Sequence, residues 1–356
     1  MTKNINVVIF GGNMMEYRYR DKAYLSTYNL DTKIFDNYNF IVEDAAPLRS
    51  VYILTTNEGF KIFKKIDYSK AELIFIYEAL EIIRIKYPYI INFKKSIYDI
   101  PYVEYNNELY VVLDLIEGRE CLFENPIDLR NTAAALAKYH EAAHNIKLNT
   151  NLRNNSGKMI TRYKHRIRDM ESYKKIAQMH VNKSEFDRLY LEYVDYYLYC
   201  AKCALEHISK SSYRELCETN KTLCHHDLAH HNILIGNDDN IYFIDFDYSI
   251  IDLPYHDISN LITKAAKNNG WCTDILDIVI EAYKGISNFN QKETEVLFGY
   301  LLFPLDFYEV TTGYYMKTKE WDEEDFTDKL RRKAGYKEDR EEFLKYFIEK
   351  WGGEIK

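Results

Sequence analysis

His225-His226-Asp227-Leu228-Ala229-His230-His231-Asn232-Ile233-Leu234-Ile235-Gly236-Asn237-Asp238-Asp239-Asn240-Ile241-Tyr242-Phe243-Ile244-Asp245-Phe246-Asp247 says more about fold and function than any other segment of the chain. Two short apolar runs, Ile233–Ile235 and Ile241–Ile244, flank a Gly/Asn/Asp cluster, the pattern of a β-hairpin. The turn centre falls midway between Asn232 and Asp245. The fold-back therefore brings those two side chains together at the open end, and Asp227, just before the first strand, is delivered to the same place. One carboxamide and two carboxylates at one spot suit a hard cation and a proton acceptor.

The spacing of His225, Asp227, Leu228 and Asn232 matches the His-x-Asp-Leu-x-x-x-Asn catalytic loop of kinases, and Asp245-Phe246 stands for the metal-binding Asp-Phe-Gly, with Asp247 in place of glycine. The segment resembles the aminoglycoside and choline kinase branch of the kinase-like fold; Ile244-Asp245-Phe246-Asp247-Tyr248-Ser249 is especially similar to choline kinases. The resemblance implies ATP and Mg²⁺ as cofactors, Asp227 as catalytic base and Asn232 and Asp245 as metal ligands. It implies structural roles for His225, bonding backbone near Asp245, and for Asp257, bracing the catalytic loop. The four histidines at 225, 226, 230 and 231 have no nearby Cys pair and do not match a structural zinc pattern.

The chain has 356 residues, enough for one large domain or two, and 47% of them are hydrophobic, which argues against global disorder. A net charge of -8 argues against nucleic acid as a main partner. Six cysteines at 121, 200, 203, 217, 224 and 272 show no disulfide framework, and Cys200 and Cys203 read as helix-packing residues. No signal peptide or spanning helix is evident, so no membrane is expected and synthesis in a reducing cytoplasm is. Abundant Ile, Lys, Asn and Tyr suggest an AT-rich genome.

Toward the N-terminus, residues 1–20 read as an extension, with Asn6–Phe10 before Gly11-Gly12 only faintly like a dinucleotide fold, and 21–29 as a short helix. Val51–Thr55 and Phe60–Lys64 flank Asn57-Glu58-Gly59, a second hairpin signal. Period 2 puts Phe60, Ile62 and Lys64 on one face and Lys61, Phe63 and Lys65 on the other. Residues 69–86 form an amphipathic helix with Ser69 as N-cap. By resemblance, Lys64 holds the nucleotide phosphates, with Lys65 as the alternative, and Glu78 on the helix pairs with it, with Glu72 as runner-up. Residues 109–116 form a strand ending at Glu117-Gly118; in the family this is the hinge, and the Asp114 carbonyl and Ile116 amide would meet adenine. Asp44–Ser50 reads as a loop without glycine, so a tight glycine flap over the phosphates is not expected, and Ser50 or nearby amides are the candidates for phosphate contact.

Beyond 118 the pattern is helical, at 128–144 and from an N-cap at Ser184 to about Ile208. The expected fold is thus α+β and protein-kinase-like. A nucleotide-binding lobe with a small antiparallel sheet and one main helix spans 1–115. A larger helical lobe spans 116–356 and carries the hairpin 225–247. Ala229 replaces the lysine that protein kinases carry two residues after the catalytic Asp, and no Ala-Pro-Glu element or long activation segment follows Asp245, which disfavours a protein substrate.

Over about 20–350 the chain resembles the CotS family of spore coat proteins, through Gly118-Arg119-Glu120, Leu136–His140, Asn155–Lys158, Cys224–Asp227, Asp245–Tyr248 and Leu302-Phe303-Pro304 followed by Tyr314-Tyr315. That resemblance implies deposition in the spore coat and other coat proteins as partners. Two functions follow: a Mg-ATP-dependent kinase of a small-molecule hydroxyl (choline, amino alcohol, sugar or aminoglycoside-like), or a coat component that keeps the kinase fold for assembly. Trp271, Phe303, Phe307, Tyr308, Tyr314, Tyr315 and Trp321 either line a cation–π pocket for a quaternary ammonium or pack as core.

Overall fold

The computed structural model describes residues 31–352, so the expected extension over 1–20 and helix over 21–29 lie outside it. The chain divides into two compact units, each assembled from three stretches. Unit 1 comprises the chain through Leu122, Ile146–Arg153 and Ala229–Ser249; unit 2 comprises Phe123–Asn145, Asn154–Leu228 and the chain from Ile250.

Unit 1 is built on an antiparallel sheet. Its strands are β1 (Val42–Leu48), β2 (Val51–Thr56), β3 (Gly59–Ile66), β4 (Phe93–Lys94), β5 (Val103–Tyr105) and β6 (Glu108–Asp114), in the order β1-β2-β3-β6-β4 with β5 also on β6. The stretch 44–48, expected as loop, is most of edge strand β1, and only Arg49 and Ser50 form its turn into β2. An edge strand tolerates Pro47, because it pairs on one side only. Phe63, Leu54, Tyr52 and Val112 form the core on one sheet face, with Phe63 stacked on Tyr110 at 5.2 Å. Helix α1 (Lys70–Arg84) starts at a capping box in which Ser69 and Glu72 satisfy each other's backbone N–H. A three-stranded sheet completes the unit, with β7 (Gly118–Glu120) beside β9 (Ile233–Gly236) and β9 beside β10 (Ile241–Phe243). Gly118 pairs with Gly236, and a β-carbon there would overlap the carbonyl oxygen of Ile235.

Unit 2 is helical: α2 (Pro126–Ala142), α3 (Met159–Met179), α4 (Glu185–Lys210), α5 (Tyr213–Thr219), α6 (Tyr255–Asn268), α7 (Asp274–Lys284), α8 (Gln291–Leu302), α9 (Leu305–Tyr315), α10 (Glu323–Ala334) and α11 (Lys337–Trp351). A two-stranded sheet of β8 (Thr222–Cys224) and β11 (Ile250–Asp252) precedes α6. The capping box of Ser184 and Asp187 fixes the start of the long α4.

The β9–β10 hairpin is tied to the segment after α1. Phe243 donates its N–H to the Tyr89 carbonyl at 3.1 Å and accepts from Ile91 N–H at 3.2 Å, with its ring fully buried beside Tyr87. Phe243→Ala should therefore lower stability by about 3–5 kcal/mol through the cavity it leaves. Urea unfolding checks this, and a loss under about 1 kcal/mol would contradict the packing.

Candidate active site

In unit 1, the hairpin register pairs Phe243 with Ile233, and Ile244 then donates to the Asn232 carbonyl at 3.0 Å. Asn232 and Asp245 thus sit at the open end, with Asp245 two residues past the last paired residue, Phe243. Asn232 is buried, and its N–H donates to the Ala229 carbonyl at 2.9 Å. Asp245 has a φ of 63°, a left-handed conformation that a non-glycine residue holds only when its surroundings impose it.

Lys64 meets this end of the hairpin. Its Nζ lies 2.8 Å from Asp245 Oδ1 and 2.7 Å from Asp247 Oδ2. Burial alone would lower the Lys64 pKa, but the charges of Asp247 and Asp245 outweigh it and hold the ammonium above its ordinary value. Lys65 points elsewhere and pairs with Glu108 at 3.0 Å. The pair expected between Lys64 and Glu78 is not formed. Glu78 is half-buried on α1 and makes no ion pair among the described residues. The carboxylates of the 245–247 segment occupy Lys64 instead.

Glu72, the runner-up, serves a different cation. Arg153 Nε donates to Glu72 Oε1 at 3.0 Å, and its Nη1 donates to the carbonyls of Asp247 and, at 3.3 Å, Ser249. The guanidinium lies 4.8 Å from the Tyr68 ring centre, and the Tyr68 hydroxyl donates to Asp247 Oδ1 at 3.1 Å. One arginine thereby ties the start of α1 to the backbone just after Asp245. Burial would raise the Glu72 pKa; hydrogen bonds from Ser69 and the Arg153 charge lower it below the usual carboxylate value.

The remaining unit 1 candidates lie along the sheet. Asp114 ends β6 opposite Lys61, whose buried ammonium reaches it at 3.0 Å, while Asn92 donates to its other oxygen at 2.6 Å. Ile116 follows in the irregular stretch before β7. Ser50 occupies the β1–β2 turn beside Arg49, which reaches Glu120 at 3.2 Å.

In unit 2, the loop 225–228 is held by one face of α6. Asp257 is fully buried and accepts the N–H groups of His225 at 2.6 Å and His226 at 2.9 Å. His226 has a φ of 71°, which turns these consecutive amides toward one carboxylate. His140 Nε2 lies 3.1 Å from the same carboxylate, and its Nδ1 lies 2.9 Å from the Tyr283 hydroxyl. Burial would raise the Asp257 pKa, but the hydrogen bond from His140 and the nearby His256 ring, its Nδ1 at 3.8 Å, hold it far below the ordinary value. His225 Nδ1 accepts the Asp227 N–H at 3.3 Å. One turn along α6, Asn260 Oδ1 accepts the Leu228 N–H at 3.2 Å, and one turn further Lys264 Nζ lies 2.5 Å from Asp227 Oδ1. The sequence reading missed Asn260, Lys264, His140, Arg153 and Tyr68. Only the 257/260/264 spacing, one helix face, carried a signal.

A model of the family described as "Spore coat putative kinase YutH" matches residues 31–347. The chain belongs to that family. Spore coat protein S of Bacillus subtilis is 23% identical over 304 residues, 83% of this chain and 86% of that protein. Among solved structures, an aminoglycoside phosphotransferase from Alicyclobacillus acidocaldarius has a TM-score of 0.80 at 18% identity, covering 90% of this chain and 96% of its own. A spectinomycin phosphotransferase in complex with ADP and spectinomycin has a TM-score of 0.65 at 13% identity, covering 88% and 99%. The fold is therefore the α+β fold of the kinase-like phosphotransferases. No helix among the described residues is long and apolar enough to cross a membrane.

Of the seven aromatics, Trp271, Phe303 and Phe307 are buried in unit 2, Tyr308, Tyr314 and Tyr315 are half-buried, and Trp321 is exposed. Phe303 stacks on Tyr163 at 4.1 Å, Phe307 on Tyr197 at 4.0 Å and Tyr314 on Phe186 at 3.7 Å.

Replacing Arg153 by Met should cost about 2–3 kcal/mol, since it strips Glu72 and two carbonyls of a shared charged donor. Glu72→Gln keeps an acceptor and should cost less; equal stability of Arg153→Met and wild type in urea would refute the tie. Acid sensitivity offers a second check. Burial, then the neighbouring His256, push the His226 pKa down to about 3. An unfolded histidine protonates near 6.5, so between about 6.5 and 3 the unfolded state binds more protons and stability falls with pH. His226→Asn, which tolerates positive φ, should lose less stability than wild type between pH 7 and pH 5 in chemical denaturation.

Proposed function

We propose that the protein is a Mg-ATP-dependent phosphotransferase acting on the hydroxyl of a small molecule of the amino alcohol, sugar or aminoglycoside class. The observation that carries this reading is the meeting of Lys64 with Asp245, 181 residues apart in the chain, at the hairpin end that also bears Asn232. A strand lysine beside a carboxylate and a carboxamide is the equipment for holding phosphates and a hard cation. Among the described residues, no group of three or more His, Cys, Asp or Glu side chains is arranged to hold a metal. The hard oxygens of Asn232 and Asp245 fit Mg²⁺, which takes few protein ligands and completes its shell with phosphate and water. When bound, Mg²⁺ neutralises charge on the phosphates.

In this reading Asp227 accepts the proton of the acceptor hydroxyl, held in place by the His225 ring and by α6. The Asp114 carbonyl and Ile116 amide receive adenine, and Lys64 and the Ser50 turn serve the phosphates. Arg153 and Glu72 do the bracing that the Lys64–Glu78 pair was expected to do. The protein is made in the cytoplasm and joins the spore coat, where other coat proteins are its neighbours.

The test has two arms. Mg-ATP at a hundredfold excess over Kd should stabilise the protein by about 2.7 kcal/mol. ATP without Mg²⁺ should do far less, and Asp245→Ala should remove the difference. ADP release is then measured across a panel of amino alcohols, sugars and aminoglycosides, and Asp227→Asn should cut turnover about 10²-fold or more while sparing the Mg-ATP stabilisation. No stabilisation by Mg-ATP, or no acceptor-dependent ADP from any compound, would leave assembly as the surviving reading.

A further inference from the structure

Ala229 leaves the loop after Asp227 without a lysine of its own, yet a lysine reaches Asp227 from elsewhere. Lys264 stands on α6, seven residues after Asp257 and four after Asn260, so the three share one face of the helix. That face touches the loop at successive points: Asp257 at the amides of His225 and His226, Asn260 at the amide of Leu228, and Lys264 at the Asp227 carboxylate. The spacing is set by a single rigid element. The next lysine on this helix, Lys267, is committed to Asp306 at 2.8 Å. Asp227 and Lys264 are both partly buried, with side chains 34% and 26% exposed, so their charges face each other with reduced screening.

We propose that Lys264 is a positioning residue for phosphoryl transfer, supplying from α6 the positive charge that the catalytic loop lacks. The inference rests on the phosphotransferase reading above. In the step it serves, the acceptor hydroxyl gives its proton to Asp227 and its oxygen bonds the γ-phosphorus. The bond from that phosphorus to the β–γ bridging oxygen breaks, and ADP leaves with the electron pair. Lys264 takes no part in the proton transfer. It fixes the rotamer of Asp227 and keeps positive charge beside the carboxylate before the proton arrives, so that the carboxylate stays ionised and correctly aimed.

The experiment uses the full chain and the best acceptor from the ADP-release panel. Lys264→Met should lower kcat about 10²-fold while KM for ATP and the Mg-ATP stabilisation change less than about twofold. Lys264→Arg should restore kcat to within about tenfold of wild type, because charge rather than shape is required. In Asp227→Asn, adding Lys264→Met should cost little more, since the two act as a unit. If Lys264→Met does not fold, Lys264→Gln replaces it, with the same expected loss. Wild-type kcat in Lys264→Met, or losses that multiply in the double variant, would overturn the proposal while leaving the phosphotransferase reading intact. A wild-type protein that turns over no acceptor overturns both.

Discussion

A charged carboxylate with no access to water is the constraint on which the loop of unit 2 depends. Asp257 carries its charge inside the protein only because two backbone amides and His140 surround it. Isolated, such a charge would cost several kcal/mol. Satisfied, it does the reverse: it fixes the backbone of His225 and His226, and hence the direction in which Asp227 leaves the chain. His140 is oriented in turn by Tyr283, so α2, α6 and α7 all contribute to one anchor. Loss of the carboxylate would leave two buried amides without their acceptor, a larger disturbance than the loss of one contact.

Unit 1 solves a related problem with opposite sign. Lys64 is a largely buried ammonium, and it is kept charged by Asp245 and Asp247. Asp247 makes three contacts here: its carboxylate balances Lys64 and receives the Tyr68 hydroxyl, and its backbone carbonyl accepts from Arg153. Glu78, the helix glutamate expected to pair with Lys64, makes no ion pair among the described residues. Glu72 joins the cap of α1 to Arg153, and the start of the helix and the turn after Asp245 become parts of one hydrogen-bonded unit.

What the sequence disclosed was local. The hairpin at 233–243, the cap at Ser69 and the cap at Ser184 are written in runs of a few residues, and period and turn chemistry suffice to read them. The Asp44–Leu48 stretch misled because Asp, Ala and Pro are poor strand residues, yet an edge strand pairs on one side and tolerates them. The ion pairs were out of reach for a different reason. Periodicity places Lys64 and Glu78 on faces but does not say what lies opposite, and the partners came from residues 181 and 183 positions away. Arg153 sits in a short segment between helices with no pattern to mark it. Nothing in the sequence sets Lys264 apart from other helix lysines, and only the loop at its face distinguishes it.

The three-piece construction of unit 1 also has a temporal consequence. β7 emerges from the ribosome soon after the main sheet is complete, but Gly118 pairs with Gly236 and cannot do so until α2 through α5 have been made. At bacterial elongation rates this delay is on the order of ten seconds. Throughout that interval the sheet of unit 1 exists without the hairpin whose open end bears Asn232 and Asp245. The hairpin end of unit 1 is therefore completed only after α2 through α5 have been made, and a nascent chain cut short before residue 233 would present Lys64 with neither Asp245 nor Asp247 to pair it.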